Sequence, residues 1–261
     1  ELCAQHLGPP RSGLTNKGRR SKARRIAAAL NMTAPHWGFY WVTGLTADGS
    51  IVVANSYGLA YIPDGIDLPP QVTMATADET ISPAERAKWV TYPILAIQGW
   101  VRAHDQRLRA VIATAEQFNN FDPGVAKVVL QAEDIPERGR MEGRDRLTVI
   151  APEIAARLAS VGDASLHELL PVAPADSTAP EDRSAALWFE LTKPLMSTST
   201  ERGIAHLEAF VKYADHAQEL ALHKAYTAFD AEVERAAITD WVYWQHLSVL
   251  MSDAISEDAT V

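Results

Sequence analysis

Three side chains late in the sequence, His216, Glu219 and His223, are its best-spaced candidates for metal chemistry. Steps of three and four along a helix bring all three to one face, where imidazole and carboxylate could share a cation. The same pattern also describes a solvated polar helix face. No second Glu-x-x-His pair exists to complete a helical metal bundle, and His206 would join only by an accident of packing. The solvated face is therefore preferred, and neither a metal nor a cofactor is expected.

Nucleophiles fare no better. Ser56, before Tyr57-Gly58, and Ser248, after His246, are the visible hydroxyls, yet neither sits in a Gly-x-Ser-x-Gly elbow. Cys3 has His6 three residues on, but in a stretch with little to bury, so it reads as a passive thiol. Gly8-Pro9-Pro10-Arg11-Ser12-Gly13 lacks the Gly-Lys-Ser/Thr ending and the preceding strand of a phosphate loop. Neighbouring carboxylates such as Glu133 with Asp134, or Glu232 with Glu234, are solvated charge in an acidic chain. No catalytic set is legible, and the chain is expected not to be an enzyme. Trp241, Tyr243 and Trp244 are the residues assigned to partner binding, since Trp and Tyr anchor interfaces; helical spacing also allows Trp241 and Trp244 to be core.

Composition narrows the class. With 47% hydrophobic and 22% charged residues among 261, the chain is globular, and no apolar run approaches the roughly 20 residues of a membrane span. A lone cysteine excludes a disulfide scaffold and a zinc ribbon. Residues 1–47 carry seven Lys/Arg and one Glu, a net +6, which leaves −15 on the remainder. An acidic body argues against nucleic acid as the main partner; the basic segment is expected to be a solvated tail or a clamp on that body. The chain opens on Glu1 rather than Met, so it reads as a piece of a longer protein whose other part lies upstream.

Any site must be held by the following elements. Gly38 to Pro63 is a β-hairpin: apolar runs Phe39 to Leu45 and Ile51 to Ala60 flank a loop centred on Asp48-Gly49. Both faces of each strand are apolar, so the hairpin must be covered twice, with Trp41, Val53 and Leu59 buried and Gly58 at a bulge or close approach. Order is expected to begin near Ser21 with a helix to Met32, closed by Thr33-Ala34-Pro35. Ser82-Pro83-Ala84-Glu85 is a capping box that starts a helical unit, interrupted at Pro93 and running to Val101, which would cover the hairpin.

Arg109 to Thr114, Ala126 to Leu130 and Arg146 to Ile150 read as further strands, with a helix from Pro152 to Ser160. After a proline-rich linker, Ser184 to Leu191 is a short helix that Pro194 breaks. Thr198 to Glu201 is a second capping box before a long helix, and Thr239-Asp240 caps a separate last one. The fold expected is α+β: a small, mainly antiparallel sheet with covering helices, then a C-terminal helical bundle or long helical hairpin. Its divisions are a flexible end over 1–20, an α+β domain over 21–170, a linker over 171–183, and a helical region over 184–256 packed on or beside that domain.

FYWVTGLTADGSIVVANSYGLAYIPDGI, ISPAERAKWVTYPILAIQGW and RLRAVIATAEQFNNFDPGVAKVVLQAEDIPERG together resemble the C-terminal domain of EspK-type mycobacterial proteins of type VII (ESX) secretion, over most of residues 21 to 256. The resemblance carries over no site residue. It implies a non-enzymatic, chaperone-like adaptor that binds a secreted ESX substrate protein and the secretion ATPase, in the cytoplasm beside the secretion machinery, with secretion of the protein itself as the alternative. The competing reading from the residues is a hydrolase or transferase whose site is dispersed between the α+β body and the C-terminal helices.

Overall fold

The computed structural model describes residues 16–32, 38–119, 121–134, 141–173 and 178–258. Cys3, His6, the segment 8–13 and Thr33-Ala34-Pro35 lie outside them. Strands β1 (Trp41–Thr46) and β2 (Ile51–Asn55) form the expected antiparallel hairpin, with Trp41 opposite Asn55 and Leu45 opposite Ile51. Its turn is built by Asp48, whose carboxylate accepts from the Ser50 amide and from the Thr46 hydroxyl, and by Gly49 at a φ of +94°. The second strand stops at Asn55, sooner than its apolar run, because Asn55 turns inward: its side chain donates to the Tyr61 carbonyl and accepts from the Tyr57 amide. Residues 56–63 are consequently a buried loop rather than strand.

Three more strands, β3 (Val72–Met74), β4 (Leu108–Ala113) and β5 (Ala126–Val129), complete a sheet ordered β3-β2-β1-β4-β5. The β1 pairings with β2 and β4 are antiparallel; the outer pairings, β2 with β3 and β4 with β5, are parallel. The sheet is thus mixed. Parallel neighbours need a crossover between them, supplied by the buried loop after β2 and, between β4 and β5, by the short helix α4 (Ala115–Phe118).

Alternation along the strands sorts the core into two layers. Val42, Val52, Ala54, Val111 and Ala113 face α3 (Pro93–Ala103), where they meet Ile94, Ile97 and Trp100. Trp41, Leu45, Ile51, Val53, Ala110 and Ile112 face the larger layer, which includes α1 (Asn16–Met32) and the C-terminal helices. Trp41, Val53 and Leu59 are fully buried, as a hairpin covered on both sides requires. Helix α1 begins five residues before the expected Ser21, and Arg24 ties it to Asp134 through a 2.6 Å ion pair. Ser82 caps α2 (Pro83–Ala87) by accepting from the Glu85 amide, and Pro93 restarts the chain as the first residue of α3.

Arg146–Ile150 is a helix, α5, not the strand its β-branched run predicts. Asp145 decides this by accepting from the Thr148 amide at 3.0 Å and the Thr148 hydroxyl at 2.6 Å, an N-cap that outweighs β propensity. Leu147 and Ile150, three apart, are both buried, as one helix face requires. Helix α6 follows over Pro152–Ser160.

Beyond the largely exposed residues 171–173 and 178–183, α7 (Ser184–Thr192) runs into a 3-10 turn that accommodates Pro194. The longest elements are α8 (Arg202–Tyr226) and α9 (Ala231–Asp258), a helical hairpin against the sheet layer. The Thr198–Glu201 capping box does not form. Ser199 instead accepts from the Glu201 amide, and Glu201 occupies the cap position without a side-chain bond. The break between the two helices lies at residues 227–230, where Asp230 accepts from the Val233 amide and caps α9. Thr239 and Asp240 fall inside α9: Thr239 bonds back to the Arg235 carbonyl, and Asp240 pairs with Arg146 at 2.7 Å. No helix among the described residues is long and apolar enough to cross a membrane.

Candidate functional site

The residues singled out by type and spacing scatter in space and engage in structural bonds. His216 is buried; its Nε2 accepts from the Arg183 amide at 2.9 Å, which docks the approach to α7 on α8, and its Nδ1 lies 3.4 Å from Glu219. His223, a turn later, is half-buried. Among the described residues no group of three His, Cys, Asp or Glu side chains is placed to hold a metal ion. Ser56 closes the base of the hairpin, donating to the Gly38 carbonyl and accepting from the Tyr40 amide. Ser248 bonds Asp215 at 2.6 Å, linking α9 to α8.

The α9 aromatics lie mostly inside. Tyr243 is wholly buried, and its hydroxyl accepts from the Ile62 amide at 2.8 Å and donates to the Ile62 carbonyl at 3.0 Å. The Arg146 guanidinium covers the same ring at 4.4 Å. Trp244 stacks on Tyr61 and meets Tyr213 edge-on. Trp241 is half-buried against the core and is the one of the three that is not buried.

His206, which spacing offers only as an afterthought, is a polar group of the interior held at both ring nitrogens. It has no accessible surface; Nε2 accepts from the Gly58 amide at 2.8 Å, and Nδ1 lies 2.6 Å from the Leu191 carbonyl, so Nδ1 carries the proton. Burial holds its pKa down to about 4, with the Leu191 bond opposing, so the ring is neutral at physiological pH. One side chain thereby joins α8, the end of α7 and the loop after β2. Gly58 allows this by close approach: at its φ of +59°, a Cβ would lie 2.8 Å from Met251 and 3.1 Å from Phe210.

A concavity of ligand size lies elsewhere, at the head of α3. It encloses about 530 Å³ between the entry to β1 (Gly38, Tyr40), the turn into α3 (Thr91 to Leu95), the α4 region (Glu116, Gln117, Phe121) and the first residue of α8, Arg202. That size falls in the usual range of small-ligand and peptide side-chain sites. Pro93 makes the turn: the residue before a proline is kept out of the helical region, and Tyr92 sits at φ −122°, ψ 72°. The reversal falls on Thr91, a β-branched residue at φ +68°. Thr91 is also buried, and its hydroxyl has no hydrogen-bond partner.

Arg202 adds to the wall beside Tyr92. Its guanidinium stacks on Tyr92 at 4.3 Å and donates to the Ser197 carbonyl at 3.3 Å, while its Nε is buried with no acceptor. Burial raises the pKa of Tyr40 against the opposing effect of Arg202, so the phenol stays protonated and available to donate. Tyr92, on the cavity wall, is 40% exposed and so presents apolar ring surface there. None of Thr91, Glu116 or Arg202 belongs to a recognisable motif. Tyr92-Pro93 was the one local signal of a turn here.

The EspK C-terminal domain family matches residues 30–256 of this chain. An ESX-1 secretion-associated protein EspK of Mycobacterium tuberculosis is 56% identical over 237 residues, which cover 90% of this chain and 33% of that protein. An uncharacterized protein of Mycolicibacterium smegmatis is 58% identical over 238 residues, 90% of this chain and 32% of that protein. The chain therefore spans roughly a third of the length of the curated relatives it matches.

Proposed function

The chain belongs to the EspK C-terminal domain family, and on that premise we propose that it is the partner-binding part of a larger adaptor in type VII secretion. The name of the Mycobacterium tuberculosis relative supports an ESX-1 secretion role. The observation that carries the finer reading, chaperone-like binding of a secreted protein, is the half-open cavity between α3, α4 and the start of α8. Its wall mixes aromatic and aliphatic side chains with an arginine and a few hydroxyls, a composition suited to peptide recognition. The accessible flank of Trp241 on α9 is a second surface available to the same partner, and Tyr243 and Trp244 hold the helix that presents it.

A secreted ESX-1 substrate is the expected partner, with the secretion ATPase as a second. Isothermal calorimetry of the intact protein and of this chain against each ESX-1 substrate and the ATPase tests this. Binding retained by this chain is the expected result. Binding by the intact protein that disappears when residues 30–256 are removed agrees with it, whereas no binding to any of them by either form would refute it.

A further inference from the structure

We propose that the cavity at the head of α3 is a carboxylate site, and that it takes an acidic side chain flanked by apolar residues on a peptide segment of the partner. This rests on the partner-binding reading above and names the chemistry that the partner must present.

Four groups converge there. Helix α3 has 11 residues and no side-chain cap, and the amides of Ile94 and Leu95 have no hydrogen-bond partner among the described residues. Uncapped amides at a helix N-terminus carry partial positive charge and point away from the helix, toward whatever fills the space before it. Thr91, 6% exposed, lines that space, and its hydroxyl is buried and unpaired. Arg202 supplies a full positive charge that no described carboxylate neutralises, and the Tyr40 hydroxyl, without a partner among the described residues, supplies one more donor. Buried polar groups left unpaired cost stability, and a wall of unpaired donors with one cation is matched by an acceptor-only anion.

A carboxylate fits better than a phosphate. The site has one arginine, not a cluster, and Glu116 stands on the α4 wall, so a doubly charged group would meet too little compensation. The remaining walls, Pro93, Ile94, Leu95 and Phe121, are apolar and suit the neighbours of an acidic residue in a peptide. Strain at Thr91 is consistent with a site, since a β-branched residue at positive φ persists only where surrounding structure imposes it.

The probes are acetyl-Ala-Leu-Glu-Phe-amide and its Gln analogue, titrated into the full chain by calorimetry, with sodium acetate and inorganic phosphate as competitors. The Glu peptide is expected to bind about tenfold or more tightly than the Gln peptide, as for a charge-assisted pair. Arg202→Met should abolish that preference, Arg202→Lys should keep part of it, and Glu116→Gln should strengthen the Glu peptide severalfold. Acetate should compete weakly, and better than phosphate. Each variant's thermal melt establishes that it is folded, and the exposed position of Glu116 makes Glu116→Gln informative even if the Arg202 variants melt early. Equal binding of the two peptides, a Glu preference that survives Arg202→Met in a folded protein, or stronger competition by phosphate would overturn the proposal. If the Glu peptide fails while intact secretion partners still bind, the carboxylate site is wrong and the adaptor reading stands. Failure of the intact partners alone sinks the adaptor reading instead.

Discussion

Lowering the pH should open the interior at His206. The folded protein holds this ring neutral, with its pKa moved from 6.5 to about 4 chiefly by burial, because protonating Nε2 would set a second donor against the Gly58 amide and strand a charge in the core. The unfolded chain takes up the proton first, near its ordinary value. Stability from this group is therefore fully present above 6.5 and is lost as the pH falls toward about 4. At about 1.4 kcal/mol per pH unit, that gap is worth about 3 kcal/mol in full, of which about 2.5 kcal/mol should be lost between pH 7 and pH 4.5. The perturbation is His206→Gln, which cannot titrate and cannot reach both Gly58 and Leu191. At pH 7 it should destabilise by about 2–4 kcal/mol, the cost of leaving a buried amide or carbonyl unpaired plus imperfect packing. Urea unfolding of both proteins at pH 7, 6, 5 and 4.5 measures the difference, in which the carboxylates common to both cancel. The two stabilities should converge as the pH falls. Parallel curves across this range would show that His206 does not carry the burial effect, and the account of the lock would be refuted.

Three further outcomes follow from single contacts. Tyr243→Phe leaves the Ile62 amide and carbonyl unpaired in the core and should cost about 2–4 kcal/mol in urea unfolding, with the far-ultraviolet dichroism unchanged. Gly99→Ala would bring a Cβ to 2.0 Å from the Trp89 ring in the layer between α3 and the sheet; the overpacking should cost about 1–3 kcal/mol and shift the tryptophan emission. Thr91→Gly relieves positive-φ strain and deletes an unpaired hydroxyl, so it should raise stability by about 1 kcal/mol in thermal unfolding while weakening the Glu peptide.

What could be read from the sequence was what neighbouring residues decide. The hairpin followed from Asp48-Gly49 between apolar runs, α2 from the Ser82 cap, the restart at α3 from Pro93, and the C-terminal helices from long 3.6-residue periodicity; each depends on contacts a few residues apart. The EspK-type resemblance rested on the same stretches and agrees with the family match. Where two local signals competed, the reading failed. The β-branched run 146–150 lost to its Asp145 cap, the Thr198 box lost to the Ser199 turn, and Thr239-Asp240, cap residues by type, were drawn into α9 by bonds to Arg235 and Arg146.

Only the tertiary structure decided the site. Arg202 and Thr91 stand 111 positions apart yet line one cavity, where the Arg202 guanidinium stacks on the Tyr92 ring. His206 reaches Gly58 across 148 positions, and Tyr243 reaches Ile62 across 181. Backbone propensity and capping act over one turn and leave a local imprint on composition. The pairing of a buried donor with its acceptor is set by which surfaces exclude water together, and that leaves no mark on the spacing of residues along the chain.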